Sequence, residues 1–294
     1  MGREKEAELL LVCMLAKGHV LLEGVPGVSK TLLAKTFSKC VSLDFGRVQF
    51  TPDMLPLDIV GGFVFNLKTR DFDFKKGPVF TNVLVADEIN RAPPKVQSAL
   101  LEAMQELQVT VEGRTERLPA PFMVIATQNP VEFQGVYPLP EGQIDRFMVK
   151  ARMDYPSPDV ESRIIRRNLV DLDVADVESV VSRQELNAAF KAVEAVKVTD
   201  EIMDYLAEFA RASRMDVRVR LGASPRSMVH LIHCSRAYAY VHGRTYVIPD
   251  DVKFLTPYVL AHRLRLDQTS RIRGEKLDPY QVVKETLDKV KPPR

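Results

Sequence analysis

Apolar positions recur in short continuous runs along the first half of the chain and at helical spacing along the second. Leu9, Leu10, Val12, Cys13 and Leu15 line one side of a predicted helix that Lys17-Gly18 ends, and His19-Val20-Leu21-Leu22 then reads as a buried strand. Helical spacing resumes at Leu32, Leu33 and Phe37 and lasts to Cys40, so Gly24 and Gly27 lie in a strand-to-helix turn. Val83-Leu84-Val85-Ala86, ending in Asp87-Glu88, is apolar throughout, as a strand covered on both faces of a parallel sheet must be. Phe122 to Thr127, ending at Gln128-Asn129-Pro130, repeats that pattern, and between the two Pro93-Pro94 opens a helix over Val96 to Leu107. The alternation predicts a three-layer α/β domain with a parallel sheet.

Two insertions interrupt the alternation. Phe63 to Leu67 and Asp71 to Phe74 flank Lys68-Thr69-Arg70, and Gln108 to Val111 and Thr115 to Leu118 flank Glu112-Gly113-Arg114, so both predict hairpins. Tyr155-Pro156-Ser157-Pro158 reads as a boundary, beyond which the strand signal gives way to helices over Val160 to Leu169, Arg183 to Val196, Asp200 to Arg214, Pro225 to Tyr240 and Pro249 to Ala261. The expected organisation is an α/β domain over residues 1–155, a helical linker over 156–198 and an all-α domain over 199–294.

Composition adds mainly exclusions. A chain of 294 residues is long for one domain, and 46% hydrophobic with 27% charged residues argues against disorder or a membrane bundle. The net charge of +2 provides no global field for nucleic acid or anionic lipid. Cys13, Cys40 and Cys234 lack metal or redox spacing and fit a reducing cytoplasm, and neither a secretory leader nor a membrane span is evident, so no membrane insertion is expected.

The turn after the first strand, Gly24-Val25-Pro26-Gly27-Val28-Ser29-Lys30-Thr31, fits G-x-x-x-x-G-K-[ST] except that Ser29 replaces the second required glycine. Such a loop aims backbone N–H groups at phosphate oxygens from a helix N-terminus; Lys30 can reach the β- and γ-phosphates of ATP, and Thr31 can ligate Mg²⁺. The plain alternative is a glycine turn capped by Ser29. Asp87 can hold the Mg²⁺ shell and Glu88 can orient an attacking water, or the two can form an acidic strand cap. Asn129 can place an amide near the γ-phosphate, although Asn-Pro also starts loops readily.

GVPGVSKT, VADEINRAPPKVQSALLEAMQE from Val85 to Glu106, ATQNP from Ala126 to Pro130, YPLPEGQIDRF from Tyr137 to Phe147 and ASPRS from Ala223 to Ser227 together resemble the MoxR family of AAA+ ATPases over nearly the whole chain. The resemblance implies an AAA+ P-loop αβα domain followed by a smaller all-α lid, a hexameric or similar ring with nucleotide between subunits, and chaperone-like remodelling of protein clients with von Willebrand A-domain partners. By position it makes Gly24, Gly27, Lys30 and Thr31 the Walker A residues, Asp87 and Glu88 the Walker B pair and Asn129 sensor 1. It also makes Arg146 an arginine finger for a neighbouring subunit, Arg226 sensor 2 on the lid, and the hairpins a helix-2 insert and a pre-sensor-1 hairpin that act on clients. The chain starts close to Gly2-Arg3, which resembles the family's Gly-Gln entry, so any upstream segment that covers the adenine is expected to be missing.

Ordinary surface pairing remains the alternative for Arg146, solvation for Arg226, and an interface role or a strand-end ion pair for Arg91. His230, His233 and Cys234 have helical metal-site spacing without an evident fourth ligand, which favours packing. The basic runs Arg211, Arg214, Arg218, Arg220 and Arg263, Arg265, Arg271, Arg273 lack the interleaved aromatics of a nucleic-acid groove. A nucleic-acid or chelatase-type AAA+ motor and a nucleotide-gated assembly switch with negligible turnover are the competing functions.

Overall fold

A computed structural model describes residues 2–25, 27–130, 136–167, 177–267 and 277–293. Packing divides the chain into two compact units. The first comprises Met1–Leu10, His19–Phe147 and Ala151–Leu186, and the second Leu11–Gly18, Met148–Lys150 and Asn187–Arg294.

From the N-terminus the elements are α1 (Glu4–Leu15), β1 (Val20–Gly24), α2 (Lys30–Cys40), β2 (Phe45–Gln49), α3 (Pro56–Val60), β3 (Gly61–Asn66), β4 (Asp71–Lys76) and β5 (Val83–Asp87). A single 3-10 turn over Ile89–Arg91 leads to α4 (Pro94–Glu106), then β6 (Gln108–Val111), β7 (Arg114–Arg117), β8 (Met123–Gln128), α5 (Glu141–Ile144), β9 (Val149–Met153) and α6 (Pro158–Arg167). Five of these strands form a sheet of order β2-β5-β8-β1-β9. The β1/β8, β5/β8 and β2/β5 pairs are parallel, with Glu23 opposite Gln128, Ala86 opposite Ala126 and Gln49 opposite Asp87. Parallel registry carries the C-terminal ends of β2, β5, β8 and β1 to the same edge, where ligands of open α/β sheets bind.

β5 is buried at every residue and β8 at all but its last, which their unbroken apolar runs require of central strands. Leu21, Leu84, Val124, Leu100 and Phe147 belong to the core that packs against them. His19 lies in this interior: its Nδ1 accepts the Val124 N–H at 3.0 Å and its Nε2 lies 3.1 Å from the Met104 carbonyl oxygen. That pairing fixes the neutral tautomer with Nε2–H as donor, and burial lowers the imidazole pKa to about 4. Both expected hairpins are present as antiparallel pairs, β3 with β4 and β6 with β7.

The second unit is built on α7 (Arg183–Glu194, whose first turn lies in the first unit), α8 (Asp200–Met215), α9 (Pro225–Val241), α10 (Pro249–Leu260) and α11 (Pro279–Asp288). Ser224 caps α9 by accepting the Ser227 N–H at 3.1 Å, and Pro225 occupies the first turn, where its missing N–H costs nothing. Phe209, Leu231, Cys234, Leu255 and Val283 are fully buried here.

Among the described residues helices dominate beyond residue 158, with a small β ribbon as a departure. β10 (Val219–Leu221) pairs antiparallel with β11 (Arg265–Leu266) in a small ribbon that local pattern did not indicate. Two arginines of the first basic run are consumed inside this unit: Arg214 Nε donates to the Ala223 carbonyl at 2.9 Å, and Arg218 pairs with Asp216 and Glu285. Of the residues with metal-site spacing, Cys234 is buried and His233 exposed, while His230 Nδ1 lies 2.9 Å from an Arg263 nitrogen. Among the described residues no three His, Cys, Asp or Glu side chains gather in a metal-holding group.

Candidate nucleotide site

The turn between β1 and α2 gets its shape from two constraints. Gly24 closes β1 where a Cβ would lie 2.5 Å from the Met153 carbonyl oxygen, so no larger residue fits without displacing backbone. Gly27 has φ +81°, a left-handed conformation that glycine adopts without strain. Val28 is buried and pins the loop, and Ser29 then begins α2 by giving its carbonyl to the Leu33 N–H at 3.0 Å. Ser29 also has φ 64° and makes no side-chain cap bond, so at the motif's glycine position the serine holds a left-handed conformation that glycine adopts without strain. Pro26 lies outside the described residues. The first N–H groups of α2 have no partner within the helix and carry its positive dipole end, which suits phosphate oxygens.

Behind the loop, Lys30 Nζ donates to the Gly24 carbonyl at 2.5 Å and lies 3.4 Å from the Gln128 carbonyl, joining the tips of β1 and β8. Thr31 presents its hydroxyl to both carboxylate oxygens of Asp87, at 3.0 and 2.9 Å. Asp87, 3% exposed, also accepts from Thr127 Oγ1 at 3.1 Å and from Arg47 Nε at 2.7 Å. The Thr127 hydroxyl in turn accepts the Glu88 N–H at 2.9 Å, so one side chain on β8 sets both acidic residues at the end of β5.

Glu88 has φ 57°, a left-handed backbone uncommon for a residue with a side chain, and its carboxylate has partners different from those of Asp87. Its Oε2 accepts from Gln49 Nε2 at 2.9 Å and lies 3.1 Å from Arg91 Nε. Of the two readings open for Arg91, the ion pair is present. Asn129 is buried just past β8, and its carbonyl lies 3.3 Å from Asn90 Nδ2.

The structure thus brings Gly24, Lys30, Thr31, Asp87 and Glu88 together, with Gln128 placing Asn129 beside them. Arg146, half-buried after α5, donates through Nε to Gln105 Oε1 of α4 at 2.6 Å. Arg226 belongs to the second unit, exposed in the first turn of α9. Arg47, Gln49 and Thr127 escaped the sequence reading. The first two occupy alternate positions of β2 and so share a face, but only the pairing of Gln49 with Asp87 shows which acids that face meets.

The donor set fits Mg²⁺ and a polyphosphate: a hydroxyl and a carboxylate supply hard oxygens within 3.0 Å of each other, beside an ammonium and a helix N-terminus.

Comparison with known proteins shows the family and the fold. Residues 19–149 match the ATPase family associated with various cellular activities (AAA), and residues 211–285 match the AAA lid domain. The chain is 44% identical over 293 residues to the uncharacterized protein YeaC of Bacillus subtilis, covering all of this chain and 91% of that one. It is likewise 44% identical over 303 residues to chaperone MoxR1 of Mycobacterium tuberculosis, covering all of this chain and 79% of the relative. A crystal structure from Cytophaga hutchinsonii superposes with a TM-score of 0.91 at 38% identity, covering 100% of this chain and 91% of the other. No helix among the described residues is long and apolar enough to cross a membrane.

Proposed function

The chain is a member of the MoxR family of AAA+ ATPases, with the chaperone-like role of that family, and from that premise we propose that it hydrolyses ATP with Mg²⁺ at the converging strand tips of a hexameric or similar ring. The turn from Gly24 to Thr31 would hold the triphosphate, with Lys30 against its terminal oxygens, and Thr31 and Asp87 would hold the ion. Bound there, Mg²⁺ neutralises charge on the phosphate oxygens. Glu88 orients the attacking water and accepts its proton. Asn129 fixes that water or a phosphate oxygen through its amide. Arg146 serves the nucleotide of a neighbouring protomer, and Arg226, on a lid over residues 199–294, senses the γ-phosphate. Protein clients and von Willebrand A-domain proteins are the proposed partners, engaged in the cytoplasm.

The observation that carries this reading is the carboxylate of Asp87, buried yet held by the Thr31 and Thr127 hydroxyls, with the Glu88 carboxylate on the next residue held separately by Gln49 and Arg91. The test is Glu88→Gln. Because the amide keeps shape but is a poor base, turnover is expected to fall about 10²- to 10⁴-fold while ATP binding persists. Undiminished turnover rejects Glu88 as the base. Per-subunit turnover that stays constant on dilution to monomers rejects Arg146 as a group acting in trans.

A further inference from the structure

Gln97 has no part in the chemistry above, yet its amide is buried and heavily engaged next to the turn that follows Glu88. It lies on α4 at 1% exposure, and its Nε2 is 3.2 Å from the Ile89 carbonyl oxygen, 3.1 Å from that of Ala92 and 3.0 Å from that of Tyr137. Carbonyls only accept, so three of them around one nitrogen fix the orientation of the amide, and its two hydrogens are shared among them. The first two acceptors belong to the turn that follows Glu88. The third opens the segment that runs through α5 to Arg146. Asn90, in the same turn, adds two further ties: its carbonyl accepts the Tyr137 N–H at 2.6 Å, and its Nδ2 lies 3.3 Å from the Asn129 carbonyl. At the far end of the segment Phe147, directly after Arg146, is fully buried. Backbone without a helix or strand ladder takes its geometry from such side-chain bonds, since buried carbonyls must find donors.

We propose that Gln97 is a positioning residue that clamps the Glu88 turn to the Tyr137–Phe147 segment, so that the carboxylate serving one protomer's own nucleotide and the arginine offered to the next protomer are held in a fixed relation. The inference rests on the proposed roles of Glu88 and Arg146. Gln97 acts only through Ile89, Ala92 and Tyr137, and Gln97→Met preserves its length while removing the donors.

Complementation between full-length protomers tests the clamp apart from those roles. Arg146→Ala protomers retain an intact site but offer no finger, and Glu88→Gln protomers retain a finger but have a disabled site, so mixing them should restore ATP turnover. With Glu88→Gln/Gln97→Met as the finger donor, restoration is expected to drop by about tenfold or more, because small misplacements of a charged group are costly in rate. Binding of a non-hydrolysable ATP analogue by that double variant should stay within about twofold of Glu88→Gln, since Gln97 touches no part of the loop that holds phosphate. Equal restoration by both donors overturns the proposal. So does a loss of restoration that merely parallels a loss of analogue binding. If the original pair restores nothing, the trans role of Arg146 fails first and the clamp falls with it, a result distinct from equal restoration. Should Gln97→Met not fold, Gln97→Asn keeps a polar amide one methylene short of Tyr137; the same deficit is expected, and full restoration by it overturns the proposal.

Discussion

Asp87 in the first unit and Asp216 in the second each bury a carboxylate against an arginine, and the two settings differ. Asp216, with a side chain 5% exposed, receives the Nε and Nη2 of Arg218 at 2.9 and 2.8 Å, has Lys289 Nζ at 3.5 Å, and lies 3.3 Å from the Thr286 hydroxyl. Hydrogen bonds from Arg218 hold its carboxyl well below the usual carboxylate range. Asp87 is buried to a similar degree, but two of its three partners are neutral hydroxyls and its arginine is 50% exposed at the side chain. A carboxylate held by both nitrogens of a mostly buried guanidinium, with a lysine and a hydroxyl beside it, is saturated and joins the end of α8 to α11. One held by hydroxyls and a solvated guanidinium can exchange partners, which a metal ligand must do.

The largest effect expected from breaking this contrast is on turnover. Asp87→Asn should cost about 10²-fold or more in ATP hydrolysis by removing the ligand charge, while nucleotide-free stability, measured in urea, changes by under about 1 kcal/mol because its arginine is already half solvated. Asp216→Asn should do the reverse in the same urea titration, destabilising by about 3 kcal/mol, since Arg218 would stay largely buried with half of its counter-charge removed. A stability loss at Asp87 equal to that at Asp216 would remove the distinction.

Acid should separate the units differently. His19 has a folded pKa of about 4 against an ordinary value of 6.5. The unfolded chain therefore takes up the proton first, and the stabilisation is complete above pH ~6.5, declining as pH falls towards ~4 by about 3 kcal/mol in total. Asp216, with its folded pKa lowered below 3.8, contributes fully above that value and loses its contribution only at still lower pH. Urea midpoints taken between pH 7 and pH 4 should fall in the native protein and fall less in His19→Gln. A slope unchanged by that substitution would assign the acid sensitivity to other groups.

The smallest expected effect sharpens the picture of the loop. Ser29→Gly relieves a left-handed serine worth about 1 kcal/mol, so ATP affinity should rise by no more than about fivefold by calorimetry. A fall in affinity would show that the Ser29 hydroxyl itself contacts the nucleotide.

The parts of the site that sequence revealed were local ones. A phosphate loop needs its glycines and lysine at fixed spacing, so Gly24, Gly27, Lys30 and Thr31 were readable, and Asp87-Glu88 stood out as charge at the end of an apolar run. Both hairpins were legible from paired extended segments around short polar turns. α3, of five residues, and the ribbon of β10 and β11 were not, because short elements take their stability from packing rather than from their own pattern. Arg47 and Gln49 lie on β2, a strand that the sequence pattern did not indicate, and Gln97 looked like one more residue on a helix.

By itself the sequence determined which segments are buried, where most helices and the central strands lie, and which residues are candidates for phosphate-binding and acid–base chemistry, because each is set by spacing along a few neighbouring residues. Tertiary structure alone decided that β2 lies beside β5, so that Arg47 reaches Asp87 and Gln49 reaches Glu88, and that a helical glutamine meets carbonyls 5 to 40 residues away along the chain. Those contacts depend on sheet order and on the path of irregular backbone, and neither leaves a periodic trace in the chain.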